Sequence, residues 1–480
     1  MPRPLWYVLL AFAFMQPAFP APAASFGARS ARLSDCRLDD VPMVARCGTF
    51  EVAENPALPN GRRLGIAVAV LPAQKGPARR DPIVFLSGGP GQAAIDSAAG
   101  TGVGLAQLFP DRDVLLIDQR GTGRSAALTC AFDDVADRPA TLQHFLPPAA
   151  IARCREQLAA KADLTQYSFL RFADDIEHVR RALGYERLNL DGLSYGTRAA
   201  QVYLRAYPDA VRTAYLGSVV PIDVAFPLPF ARAAERVLDA TVDACLQQTA
   251  CAAAFPALRE ETRRVFAQLA AGSVRVALPG VAEPVPLSVQ RVAESVRTMT
   301  YSPDAATDVP LLLHRASLDD WTPLLAAIDA TVHDFSGRFA AGVFFSITCA
   351  EDVRYIGEAD IATAGTAGTR LGDFRVREQQ AACKDWPLAE LPRGYRAPLR
   401  SSVPMLLVSG DLDPATPAAM ADHLAEGLAN RVHLVTPGLG HTGWPACAER
   451  AYRRLVQTGS VRGIDATCAP TPRPPFRTAP

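Results

Sequence analysis

Apolar positions along the chain fall into two arrangements. Short continuous apolar runs, bounded by glycine or proline, alternate with stretches in which apolar residues recur every three or four positions. Residues 81–91 (DPIVFLSGGPG) carry an apolar run into glycines, and 113–125 (DVLLIDQRGTGRS) repeats it. In 173–184 (ADDIEHVRRALG), Ile176, Val179 and Leu183 stand at helical spacing and Gly184 stops the pattern. LNLDGLSYGTRAA (188–200) passes from a strand-like run through Gly192 and Gly196 into a helix-forming stretch that ends before Pro208. Another buried strand is predicted at 212–220 (RTAYLGSVV), and 403–417 (VPMLLVSGDLDPATP) and 431–441 (RVHLVTPGLGH) resume the alternation. Continuous apolar strands separated by helices predict an α/β fold with a mostly parallel sheet, covered by helices on both faces.

Between 222 and 398 the alternation lapses. Segments such as FARAAERVLDATVDACLQQ and LREETRRVFAQLAAG are rich in Ala, Leu and Arg at helical spacing. They predict a helical insertion above the sheet, flanked by core segments at 24–221 and 399–468. The tail, 469–480, is proline-rich and is expected to fray. At the other end, Arg3 precedes a ten-residue apolar run (Leu5–Phe14) too short to span a bilayer comfortably, and Ala21-Pro22-Ala23 fits a small-x-small cleavage pattern. Residues 1–23 therefore predict a cleaved export signal with a mature start near Ala24. No later run is long enough to be a membrane span.

Composition narrows the chemistry. The 480 residues carry 49 basic and 49 acidic side chains, and no Lys/Arg run forms a basic patch, so no nucleic-acid partner is expected. The ten cysteines are an even number in a chain read as exported, which suggests disulfides. Pairing nearest neighbours gives Cys36/Cys47, Cys130/Cys154, Cys245/Cys251, Cys349/Cys383 and Cys447/Cys468, although spacing alone does not fix connectivity. No Cys/His group has metal spacing, so no metal site is expected.

Ser194 sits between two glycines, at the corner between a strand and a helix. Gly-x-Ser-x-Gly in that setting is a nucleophile elbow. A serine hydroxyl needs a base. Of seven histidines, His441 alone follows a late strand in a loop of small residues (PGLGHTGW). The base needs a carboxylate to orient it. SGDLDPATP offers Asp411 and Asp413, and Asp413, deeper in the loop, is selected; the other is read as capping the turn or the next helix. Thr416 either bonds that carboxylate or caps the helix. A tetrahedral oxyanion needs two backbone donors, for which Tyr195 N–H and Gly89 N–H, in the loop after the third strand, are expected. Gly121-x-Gly123-x-x-Ala126 loosely matches a dinucleotide fingerprint, but no helix and no later acidic strand end support it. No cofactor is expected, and Arg120 and Arg124 are read as buttresses of the site loops.

SGGPGQ, DQRGTGRS, GLSYG, GDLDPATP and GHTGW, in this order, resemble the proline iminopeptidase/tripeptidyl aminopeptidase group of α/β-hydrolases. The early CGTFEVAENPALPNGRRLGIAVAVLP is similar to the two N-terminal strands of the tripeptidyl aminopeptidase branch, and the likeness covers roughly 45 to 455. One departure is Ser87, where many relatives place histidine. The resemblance implies a serine aminopeptidase that cleaves near the free N-terminus of peptides, beneath a helical cap. It also implies cap carboxylates that hold the substrate ammonium, for which ITCAEDVRY offers Glu351 and Asp352. An esterase with the same triad is the alternative. A binding module without catalysis would not need the complete triad.

Overall fold

The computed structural model describes residues 33–130 and 138–479. The expected export signal, residues 1–23, and its cleavage site lie outside the described residues. Nine of the eleven strands among the described residues join one sheet. They are β1 (Ser34–Cys36), β2 (Ala45–Ala53), β3 (Arg63–Leu71), β4 (Arg79–Leu86), β5 (Arg112–Ile117), β6 (Leu188–Leu193), β7 (Val211–Gly217), β10 (Met405–Gly410) and β11 (Arg431–Thr436). Their order is β1-β2-β3-β5-β4-β6-β7-β10-β11. The first four are paired antiparallel, and every pairing from β5 to β11 is parallel. This is the α/β-hydrolase architecture, with the elbow between β6 and the helix that follows it.

The strands form because both of their faces are buried. In β4, Ile83 and Phe85 pack into one core cluster with Tyr215, Leu406, Tyr452 and Leu455. The alternate residues, Val84 and Leu86, pack into the other with Ile176, Val179, Val202 and Tyr203. The period of two along a strand thus feeds two layers of helix. The helix Phe169–Ala182 covers one face together with Tyr195–Ala206, and Ala446–Thr458 covers the other.

Between β7 and β10 the chain is largely helical, and its helices include Phe230–Gln247, Leu258–Ala270, Val289–Met299, Thr322–Arg338 and Ala341–Glu351. The helical periodicity did not signal a two-stranded ribbon there, β8 (Arg275–Val276) with β9 (Val285–Pro286), since two residues per strand are too few to show a period. Every residue of Ala341–Glu351 is buried, the mark of an internal helix. Its start is tied to the core by Ala340 N–H donating to Gly91 O at 2.9 Å and by Gly342 N–H donating to Leu128 O at 2.8 Å.

All ten cysteines are paired as nearest neighbours: Cys36–Cys47, Cys130–Cys154, Cys245–Cys251, Cys349–Cys383 and Cys447–Cys468. The tail after Cys468 departs from the expected fraying. It has no regular structure through Arg477, but Phe476 is buried. Thr471 N–H donates to Pro437 O, and Arg477 N–H to Thr307 O. One buried aromatic side chain and a few backbone bonds outweigh the polar, proline-rich composition. Among the described residues no helix is long and apolar enough to cross a membrane.

Candidate active site

Ser194 has φ 55° and ψ −126°, a conformation L residues avoid. The glycines around it answer to space. A Cβ at Gly196 would lie 1.9 Å from Leu86 O, and one at Gly192 would lie 2.8 Å from Gly196 O. The helix can therefore start against the end of β4 only if those positions are bare. Ser194 N–H donates to Gly217 O at 3.0 Å and its carbonyl accepts from Thr197 N–H at 2.9 Å, so the strained residue is held from both sides.

His441 and Asp413 arrive from the loops after β11 and β10. His441 Nδ1 lies 2.8 Å from Asp413 Oδ2 and 3.0 Å from Oδ1. Asp413 is fully buried, and its Oδ1 also accepts from the Ala415 and Thr416 N–H groups at 2.8 Å each. Thr416 Oγ1 donates to Asp413 Oδ2 at 2.6 Å, so its hydroxyl serves the carboxylate and does not cap a helix. Burial would raise the Asp413 pKa, but the His441 charge and these hydrogen bonds hold it down to about 2. The Asp411 carboxylate faces elsewhere and accepts from Gly438 N–H at 2.7 Å. The His441 backbone is fixed as well: its N–H donates to Tyr301 O and its carbonyl accepts from Ser218 Oγ. With Nδ1 committed to Asp413, Nε2 is the ring nitrogen left for the cavity of about 280 Å³ that Ser194 and His441 both line.

Glu351 and Asp352 are a correction. Neither lines this cavity; both are fully buried beside it. Glu351 accepts from Phe169 N–H at 2.9 Å and from Tyr395 Oη at 2.6 Å. Asp352 pairs with Arg198 Nη1 at 2.7 Å and accepts from Phe226 N–H and Tyr195 Oη. Their oxygens are occupied within the protein, leaving no open side for an ammonium. Asp352 acts on the site at one remove, by gripping the ring of the residue after Ser194. Loss of one partner of such a buried pair costs about 3–5 kcal/mol.

Two family descriptions match the chain: "alpha/beta hydrolase fold" over residues 81–249 and "TAP-like protein" over 369–468. The chain is an α/β-hydrolase with a TAP-like C-terminal region. It is distantly related to a tripeptidyl aminopeptidase of Streptomyces coelicolor, at 25% identity over 94% of this chain and 89% of that protein. Serine protease Hip1 of Mycobacterium tuberculosis is also 25% identical, over 84% of this chain and 82% of its own length.

In this α/β-hydrolase the glycine loop after β4 meets the elbow directly. Gly88, Gly89 and Tyr195 line the cavity together with Ser194. Tyr195 is the first residue of its helix, where a backbone N–H has no carbonyl of the preceding turn to bond. The Ser87 hydroxyl is buried without a hydrogen-bond partner. The DQRGTGRS loop is structural support. Asp118 accepts from the Ile95 and Arg124 N–H groups, and Arg120 forms a two-point pair with Asp175 at 2.7 Å. No helix follows Gly121-x-Gly123 directly.

Sequence reading missed the opposite wall of the cavity. Tyr301 packs against His441 with ring centroids 4.6 Å apart and the rings tilted by 41°, and Arg297 Nη1 donates to Tyr301 Oη at 2.6 Å. Glu294 binds Arg297 through both oxygens at 2.7 and 2.9 Å and meets Arg375 Nε at 3.0 Å. In QRVAESVRTMTY, Glu294 and Arg297 stand three residues apart, a pattern more typical of a solvated helix face.

Another buried acid, Asp191, stands in β6 three residues before Ser194. Burial pushes the Asp191 carboxyl up to about 7. The unfolded chain releases that proton near pH 4 and the folded protein near pH 7. Between those values the folded state binds more protons, so the stability contributed by Asp191 falls as pH rises, by at most about 1.4 kcal/mol per pH unit. Asp191→Asn removes the titration. Thermal melting at pH 5 and pH 8 is expected to show a smaller drop for the variant than for the wild type. Equal drops would contradict the assignment.

Proposed function

We propose that this hydrolase is an exported serine peptidase that cleaves near the free N-terminus of peptides, releasing short peptides or single residues. In this reading Ser194 attacks the scissile carbonyl, His441 Nε2 takes its proton and returns it to the leaving amine, and Asp413 orients and stabilises the imidazolium. Gly89 and Tyr195 N–H groups bind the oxyanion, and water then releases the acyl group. The observation that carries the proposal is the contact of His441 Nδ1 with Asp413 at 2.8 Å behind a strained Ser194 on the same cavity. Kinship with the tripeptidyl aminopeptidase and Hip1 supports peptides as the substrate class. Five disulfides and the signal-like N-terminus support export to a periplasmic or extracellular compartment.

Ester hydrolysis is the second reading. One feature favours it: among the described residues lining the cavity none is a carboxylate, so an ammonium has no ionic partner there. A panel of chromogenic peptides, free and N-acetylated, with a short-chain ester as control separates the two. The peptidase reading expects kcat/KM at least about tenfold higher for free peptides, the weight of roughly 1.4 kcal/mol of ammonium recognition. Equal rates for both forms abandon the N-terminal specificity. Turnover of the ester alone establishes the esterase.

A further inference from the structure

The wall that faces His441 ends in a cation with an unused donor. Arg375 lines the cavity and is only 5% exposed, yet its Nη1 has no hydrogen-bond partner. Its Nε touches Glu294 Oε1 at 3.0 Å as an ion pair, without hydrogen-bond alignment. The guanidinium lies 4.0 Å from the centre of the Phe145 ring, which fixes its plane. Glu294 is already bound through both oxygens by Arg297. The next acid on the Arg375 helix, Glu378, is engaged by His144 Nδ1 at 2.7 Å and by Leu146 N–H at 2.9 Å. Arg291 adds a third buried guanidinium, bound to the neutral Thr141 O, Ser295 Oγ and Thr331 Oγ1. These three guanidiniums share Glu294, Glu378 and Asp329, each already engaged by another partner, Asp329 by Arg138. Burial lowers the Arg375 pKa, as expected of a cation whose lost hydration is poorly replaced.

A buried guanidinium with a free donor is costly unless an anion completes it. We propose that the cavity recognises a carboxylate of the substrate, with the Arg375 guanidinium as its anchor. This deepens the hydrolase reading by adding a substrate class. Gln379, one turn along the same helix, lines the cavity beside Arg375 and offers a second, neutral donor. The line of contacts Arg375–Glu294–Arg297–Tyr301–His441 places the anchor at the far end of the wall from the base. The bound carboxylate is therefore remote from the scissile bond: either an acidic side chain or the free C-terminus of a short peptide.

The test is a set of matched substrates. Peptides carrying Glu or Gln at each position report a side-chain carboxylate. Peptides ending in a free acid or an amide report the C-terminus. A p-nitrophenyl hemisuccinate and the corresponding succinamate report the same contrast in an ester. Wild type is expected to favour the acid in at least one pair by about 10–100-fold in kcat/KM, the usual weight of a charge-assisted hydrogen bond. Arg375→Gln is expected to erase most of that ratio, and Arg375→Lys to keep part of it. Labelling of Ser194 by an uncharged fluorophosphonate shows whether each variant is folded, and if Arg375→Gln is not, Arg375→Lys carries the comparison. No acid preference in any pair overturns the proposal, and a preference untouched by either variant overturns the anchor. A preference confined to the ester pair, with no peptide cleaved, retains the carboxylate site while removing the peptidase reading.

Discussion

Ser194→Ala is expected to lower kcat by on the order of 10⁴-fold or more while leaving the fold intact, because only binding and the oxyanion donors then remain. The structure makes this a clean experiment. The alanine keeps a Cβ and the backbone N–H that donates to Gly217 O, and the bond from Thr197 N–H to the residue 194 carbonyl is also kept. The loss is confined to the hydroxyl. Near-normal turnover by a folded Ser194→Ala protein would end the nucleophile assignment and leave the elbow as a tight turn only. The comparison needs kcat at saturating substrate and a melting curve for each protein, since a shared loss of activity and stability would not bear on the hydroxyl.

The sheet was legible because both faces of its central strands are buried, so 83–86 of β4 and 405–408 of β10 read as unbroken apolar runs, and β6 and β7 as mostly apolar ones around Asn189, Asp191, Arg212 and Thr213. The elbow and the two late loops were legible for a different reason. Their glycines answer to close backbone contacts that no side chain allows, as the 1.9 Å clearance at Gly196 illustrates. Disulfide partners turned out to be sequence neighbours, which spacing made the simplest guess but did not dictate. What the sequence hid is charge burial. Glu351 and Asp352 look like a solvated acidic pair, and their burial is decided by Tyr395, Phe169, Phe226 and Arg198, all distant in sequence. The same holds for Arg375, whose nearest ionic partner is 81 positions away, at Glu294. A pattern of polar residues on a helix says that a face is polar; only packing says whether that face meets water or a cavity.

Asp413→Asn is expected to cut kcat by about 10⁴-fold, and Asp411→Asn by less than about tenfold. The first expectation follows from proton placement. Asp413 accepts at both oxygens, from two backbone N–H groups, from Thr416 Oγ1 and from His441 Nδ1. Asparagine can keep the two backbone donors on its single oxygen. Its amide then turns an N–H donor toward His441 Nδ1, which favours the tautomer protonated on Nε2. A ring protonated there cannot accept the Ser194 proton, and the imidazolium formed on attack loses its counter-charge. The Asp413 pKa of about 2 keeps the wild-type carboxylate ionised at any ordinary assay pH, so the deficit should persist from pH 5 to pH 9. The stability that this ionisation contributes is present above pH 4 and is lost only as pH falls toward 2. Asp411 instead takes the Gly438 N–H at 2.7 Å, a bond an asparagine oxygen can accept equally well. Steady-state kcat for both variants, with fluorophosphonate labelling of Ser194 as a second readout, checks the ranking. If Asp411→Asn proved the more damaging, the carboxylate that orients His441 would have to be reassigned despite the 2.8 Å contact.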